Sequence, residues 1–391
     1  MGKGLPRLFS AAIAAVVLCV SPCASALDVY FAGFATLGDA NSIASNFPHS
    51  NALNLRQGAE PGALDREISR RMRALAPRNF TLKFDELGSL GPEAASTTAL
   101  AFVLDREDVT VEPLAGGYKI VAQLSAQALF FDFREGAVIA SYPFTTQYID
   151  HVSRSVTDGD LRQLLGNMYL AAQQANVFDD FEKVLAASAP SREVTRRVQV
   201  KLVDIGEGAL AHAPAMLAND PRRLKSALGQ DFSKFLSLNQ RIPVLPYTLD
   251  YAIANRMAGR FADGSVFDLK IPEPDYEINL VLENLKKIEY QRTAAGASYV
   301  YGAYLRVTAA EPLSNTIYLD ATIKNGATKI VPASMREVDD WAAFQETLLV
   351  LMNKFTEALN EPRADWAKTH ADKPGVINEM KKLQKVLQSC R

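Results

Sequence analysis

The chain has 391 residues, with 42 Lys and Arg against 44 Asp and Glu, and 48% of its residues are hydrophobic. The near-balance of charge excludes a nucleic-acid surface, which needs concentrated positive charge to neutralise phosphates. The apolar content is ample for packed cores, and the length suits two domains of ordinary size.

The amino terminus reads as an export signal. Lys3 and Arg7 form a positive n-region, Leu8 to Val20 is a short apolar block, and Pro22 ends any helix. Ala24-Ser25-Ala26 is a small-x-small site that predicts cleavage after Ala26. The apolar block is too short for an anchor, which needs about 20 apolar residues. Cys19 follows Leu18 and Cys23 follows Pro22, whereas a lipobox wants a small residue before its cysteine, so no lipid attachment is expected. A signal of this kind directs a bacterial protein to the periplasm, and the signal alone equally fits eukaryotic secretion. Its removal leaves 40 basic and 44 acidic residues, a net charge of −4, and one cysteine, Cys390. An internal disulfide is then ruled out and stability must come from core packing. Cys390 stands as a candidate for interaction or an intermolecular disulfide, against the plainer reading of a dispensable residue at a chain end. No later apolar stretch reaches membrane-spanning length.

A first α/β domain is expected over residues 27–190. Asp28–Ala35 is rich in aromatic and β-branched residues and predicts a strand. Leu64, Ile68, Met72 and Leu75 recur at helical spacing, with Arg66, Arg70, Arg71 and Arg73 between them as a solvated face, and Pro77 stops the helix. Phe80, Leu82 and Phe84 alternate with Thr81 and Lys83 as a half-buried strand. Ala99–Leu104, Tyr118–Phe133 and Ala137–Phe144 follow as strands, the last two joined by the turn Arg134-Glu135-Gly136. Leu161, Leu164, Leu165 and Met168 mark a helix, with Asp158 or Asp160 as its cap.

A second α/β domain, residues 191–360, repeats this order after a small-residue junction near Ala186–Arg192. Arg197–Ile205 is an alternating strand, Asp220-Pro221 starts a helix, and Leu224, Leu228, Phe232 and Phe235 continue its apolar face. An insertion near 241–274 is bordered by prolines. Asp275–Tyr290, Ala297–Thr308 and Thr316–Lys324 read as strands, with Asn325-Gly326 as a hairpin-turn signal. A closing helix carries Trp341, Phe344, Leu348, Leu351, Met352, Phe355 and Leu359 on one side. The tail, 361–391, holds a short basic amphipathic helix expected to dock back on the domain. The predicted class is α+β, two tandem strand-helix-strands-helix domains with mixed or antiparallel sheets.

Tyr299-Val300-Tyr301-Gly302, Leu319-Asp320 with Gly326, and Phe131-Asp132 with Gly136 give this order a likeness. It resembles the α/β domains of the curli-secretion lipoprotein family (CsgG) and the TolB amino-terminal domain, as two copies over most of residues 28–360. The pore-forming members carry a lipobox and long amphipathic hairpins, which are not found here. The resemblance therefore implies a periplasmic interaction module and no secretion channel.

Motifs for chemistry are sparse. His49, His151, His212 and His370 lie at no metal-ligand spacing, and no G-x-S-x-G elbow, P-loop or calcium loop occurs. Gly206-Glu207-Gly208-Ala209-Leu210-Ala211 follows a strand as G-x-G-x-x-A, but Pro214 breaks the supporting helix and no acid follows at ribose distance. It reads as a glycine loop leaving a strand. Phe130–Phe133 and Tyr299–Tyr304 read as core-facing aromatic strands. The expected role is a non-catalytic interaction or scaffold module in envelope biogenesis, transport or secretion. It would have no metal or cofactor and a surface groove lined by edge strands. Another envelope protein is the expected partner, with a homodimer as the alternative. The rival readings are an envelope hydrolase using paired carboxylates on glycan or peptide, and a small-ligand carrier.

Overall fold

A computed structural model describes residues 27–391 except 39–42, 57–59, 85–96, 115, 173, 192–195, 248–255, 262–264 and 334–339. The expected signal, residues 1–26, lies outside the described residues. The first half runs β1 (Leu27–Leu37), α1 (Ile43–Asn46), α2 (Pro48–Leu53), α3 (Ala63–Ala74), β2 (Phe80–Lys83), β3 (Thr98–Leu114), β4 (Gly117–Asp132), β5 (Ala137–Val152), α4 (Asp158–Leu170) and α5 (Val177–Ala187). Then follow β6 (Val198–Gly206), α6 (Glu207–Leu210), α7 (Ala215–Asn219), α8 (Pro221–Gln240), β7 (Arg256–Phe261), β8 (Val266–Lys270), β9 (Tyr276–Thr293), β10 (Gly296–Glu311), β11 (Thr316–Pro332), α9 (Asp340–Ala358), α10 (Ala364–His370) and α11 (Val376–Gln388). The α+β class with mixed sheets is as expected. No described helix is long and apolar enough to cross a membrane.

The first sheet has the order β2-β1-β3-β4-β5-β8-β7, and β7 returns to pair with β1. β1 is parallel to β2 and β3, whereas β3, β4 and β5 form an antiparallel meander. The helices cover one face. There Leu64, Ile68 and Met72 of α3, Leu165 and Met168 of α4, and Phe178 and Phe181 of α5 bury against Phe34, Leu100, Phe102 and Phe130. On the other side Ala35, Val103, Leu129 and Phe131 pack with Leu245, Met257, Phe267 and Leu269.

That second core departs from the sequence reading. The insertion near 241–274 belongs by chain order to the second half, yet β7 and β8 are strands of the first sheet. β7 pairs antiparallel with Ala35–Leu37, and β8 meets β5 at Ala137–Lys270. The physical cause is edge satisfaction. The carboxyl end of β1 would otherwise expose unpaired N–H and C=O groups, and the hairpin supplies both hydrogen bonds and an apolar face.

The second sheet has the order β11-β10-β9-β6, with β6 parallel to β9 and the rest antiparallel. α8, α9 and α11 cover one face, joining Phe232, Phe344, Phe355, Met380 and Leu383 to Ile278, Leu280, Leu305 and Ile323 in one core. α8 also packs on β5 of the first sheet.

Three local readings are corrected. Asn325-Gly326 makes no turn. β11 runs through it to Pro332 because β10 continues alongside, with Ala303 opposite Asn325 and Gly302 opposite Gly326. The chain reverses instead at Pro312–Asn315, where Asn315 takes a left-handed φ of 53°. The cap of α4 is Thr157, in a reciprocal capping box with Asp160. Helix α5 is an addition to the predicted elements, capped by Asn176, whose side chain accepts from the N–H groups of Phe178 and Asp179.

The tail helix docks as expected. Val376, Met380, Leu383, Val386 and Leu387 of α11 are buried. Cys390 is buried with them, 0% exposed, its thiol directed at the Val386 carbonyl. In the folded chain it is a core residue, inaccessible to an intermolecular disulfide, because the apolar face of α11 carries it under the sheet.

Candidate functional site

The clearest depression opens where β1 changes partners. Leu27–Tyr30 pair with β2 and Ala35–Leu37 pair with β7 along the same edge, so Phe31–Phe34 have no strand beside them there among the described residues. The ladder to β3 skips one residue between Phe31 and Gly33, a bulge at Ala32. Bulges bend a strand and re-aim its groups. Gly33 adopts φ +100°, a conformation that favours glycine, and an added Cβ would stand 3.0 Å from Asp65 Oδ1 and crowd it.

The resulting groove has a volume of about 190 Å³. Its floor is Phe31–Phe34, its ends are Phe84 and Phe261, and its roof is Asp65, Ser69 and Arg73 of α3. These three recur every fourth position and so share one helix face, next to the apolar stripe of Leu64, Ile68 and Met72. Asp65 is tied to the strand, its Oδ1 accepting the Phe34 N–H at 3.1 Å. Arg73 is exposed, and its guanidinium lies 4.7 Å from the Phe84 ring centre. Phe31 and Phe84 are 6.3 Å apart at 58°. The groove is therefore lined by strand residues, one carboxylate, one cation and four phenylalanines. It is smaller than the several hundred cubic ångströms usual for drug-sized ligands.

Of the arginines read as a solvated face, Arg73 alone lines this groove. Arg71 is 14% exposed and bridges Glu67, Asp179 and Glu182, pinning α3 to α5. Arg70 pairs with Glu67. The G-x-G-x-x-A run has a packing cause. A Cβ at Gly206 would lie 2.7 Å from the Glu283 carbonyl oxygen, and one at Gly208 2.9 Å from Asn284 Oδ1, so the glycines admit the close passage of β9. The signature residues Leu319-Asp320 lie in β11, and Tyr299–Gly302 in β10. Asp132 stabilises the β4–β5 turn by accepting from the N–H groups of Arg134 and Glu135.

The histidines are dispersed. His212 lies tilted against Phe344 at 5.0 Å, and His370 Nδ1 meets the Lys324 carbonyl. No cluster of three metal-ligating side chains occurs among the described residues. Burial pushes the Asp105 carboxyl up to about 7, and its hydrogen-bond partner is Gln127.

Sequence reasoning expected a groove lined by edge strands but did not place it. Two signals pointed to it: an isolated glycine within a strand pattern, which marks a bulge, and the polar i, i+4, i+8 stripe of α3.

No protein-family model matches the chain, and no curated protein matches it. Among solved structures it is similar to a Xanthomonas campestris protein described by the family model DUF330. The likeness is 10% identity over 42% of this chain and 83% of that one, with a TM-score of 0.22. A likeness of that degree carries no argument about function.

Proposed function

We propose that the chain is an exported, non-catalytic interaction module of the bacterial envelope, and that it receives a short extended segment of a partner protein in the β1 groove. The single observation behind this is the stretch Phe31–Phe34, an interior strand that among the described residues has no strand partner on one edge between β2 and β7. Strand backbone in that state is a ready template for hydrogen bonding to another chain. Arg73 adds a cation suited to an acidic side chain or a terminal carboxylate, and Phe31 and Phe84 add apolar contact. The export signal ending at Ala26 supports the compartment.

The test has two parts. Mass spectrometry of the protein released from the periplasm should show Leu27 as its first residue. A photo-crosslinking residue at Ser69 should give a discrete adduct in the envelope that Arg73→Glu weakens, while the same probe at exposed Lys381 gives none. An intact amino terminus in the cytoplasm would refute the export reading. Absence of any Ser69 adduct would refute the groove.

A further inference from the structure

The tail of the chain already behaves as a strand partner. Along the outer edge of β11, the Asp320 N–H donates to Glu379 Oε2, the Thr322 carbonyl accepts from the Asp372 N–H, and His370 Nδ1 meets the Lys324 carbonyl. Ala371 bridges Ile323 in antiparallel sense. So the even-numbered residues of β11 turn their backbone groups outward. Strand geometry alternates with period two, and the β10–β11 ladder is regular from Asp320 to Pro332, so Gly326, Thr328 and Ile330 point the same way. None of their outward groups meets a described residue.

This open stretch has two defined ends. The tail covers the edge up to Lys324. Pro332 has no N–H and ends any ladder on the other side. Thr328 lies midway between them. The stretch also carries one exposed apolar side chain and one glycine. Ile330 is 79% exposed. Gly326 is exposed, and the nearest atom to an added Cβ is Val300 Cγ1 at 3.5 Å, so its own fold does not require glycine there. A glycine within a strand weakens it and often marks the close approach of something else.

We infer that β11 pairs with β11 of a second copy of this chain, antiparallel about a two-fold axis at Thr328, joining two four-stranded sheets into one. In that register Thr328 faces its own copy, and Ile330 of each chain lies over Gly326 of the other. The large side chain thus fills the space the glycine leaves. Lys329 faces Ala327, so no like charges are opposed within the stretch. Thr–Thr pairs are favourable across strands. Outward-facing residues exchange both backbone bonds with the residue opposite. An isologous contact of this kind closes on itself and does not propagate. A partner of different sequence would have no reason to match both ends of the stretch and its centre, whereas a second copy does so by symmetry. This inference is independent of the β1 groove.

The experiment measures the mass in solution of the mature chain, residues 27–391, over a concentration series, together with variants. Dimerisation is expected, and Ile330→Lys should weaken it by at least about tenfold. Thr328→Pro should do the same with unchanged circular dichroism, because the N–H it removes faces outward. Thr328→Cys should form a disulfide-linked dimer under mild oxidation, since opposed Cα atoms about 5.5 Å apart fall within disulfide reach. Thr316→Cys, exposed at the other end of the strand, should not. A monomer at all concentrations with no Thr328→Cys crosslink would overturn the inference. So would a dimer whose affinity neither Ile330→Lys nor Thr328→Pro alters.

Discussion

Arg106 on β3 and Asp231 on α8 join the two halves of the molecule, the guanidinium Nη2 lying 3.4 and 3.5 Å from the two carboxylate oxygens of a residue 125 positions away. The contact depends on a bulge. The β3–β4 register skips Asp105, turning Arg106 towards α8 and Asp105 towards Gln127. Burial alone would push the Asp231 carboxyl up. Arg106 and Lys234 outweigh it and hold the group below the usual carboxylate range. Asp231→Asn leaves Arg106 buried with Asp108 as its ion-pair partner and the Ser125 hydroxyl as an acceptor. The expected loss is about 3 kcal/mol of unfolding free energy, measured by urea denaturation. Adding Arg106→Met should cost less than the sum of the single losses by at least about 1 kcal/mol. Strict additivity would deny the coupling.

Asp105 makes stability depend on pH. Burial raises its carboxyl to about 7, against the opposing Gln127 hydrogen bond and Arg106 charge. The unfolded value is about 3.9. Between these values the folded chain holds a proton that the unfolded chain has released. This contribution is therefore fully present below about pH 4 and is lost as pH rises through about 7, at up to about 1.4 kcal/mol per unit. Asp105→Asn should flatten the fall between about pH 4 and about pH 7, read as the difference between variant and parent in denaturation free energy. Parallel pH profiles for the two proteins would contradict this.

Phe102 is the hub of the first core. Its ring lies 5.1 Å from Phe34, 5.3 Å from both Phe178 and Phe181, and 6.1 Å from Phe144. It thus joins two strands of the sheet, a third through Phe144, and helix α5. Phe102→Ala should cost about 3–5 kcal/mol. Phe102→Leu keeps most of the volume and should cost less than half of that, checked by thermal and urea denaturation.

The Cys390 thiol should be silent in the native protein. Burial pushes it up to about 12, so almost no thiolate forms at neutral pH. Reaction with a chromogenic disulfide reagent is expected only at the rate at which α11 opens, and rapidly in denaturant. Immediate labelling of the native chain would show that α11 does not hold the residue as described.

Much of the fold was legible from periodicity. Leu64, Ile68 and Met72 announced α3, and the alternation Tyr276, Ile278, Leu280, Leu282 announced β9, because each element buries one face and repeats at its own period. The candidate site was not legible as a place. Asp65, Ser69 and Arg73 show their common helix face in sequence. The edge they cover, without a strand partner among the described residues, exists only because β2 and β7, one from each half, stop short of each other along β1. Asn325-Gly326 misled in the opposite direction, as a local turn preference overridden by a long strand pairing.

By itself the sequence determined composition and the identity of most elements, and it left Cys390 as the single cysteine beyond residues 1–26. These rest on local periodicity, which needs no knowledge of partners. The tertiary structure decided which sheet received β7 and β8, where β1 and β3 bulge, that Cys390 is core, and which stretch of β11 remains open. Each of these depends on register between strands distant in the chain. Register follows from which edges and apolar faces are satisfied together, a property of the assembled molecule and of no single segment.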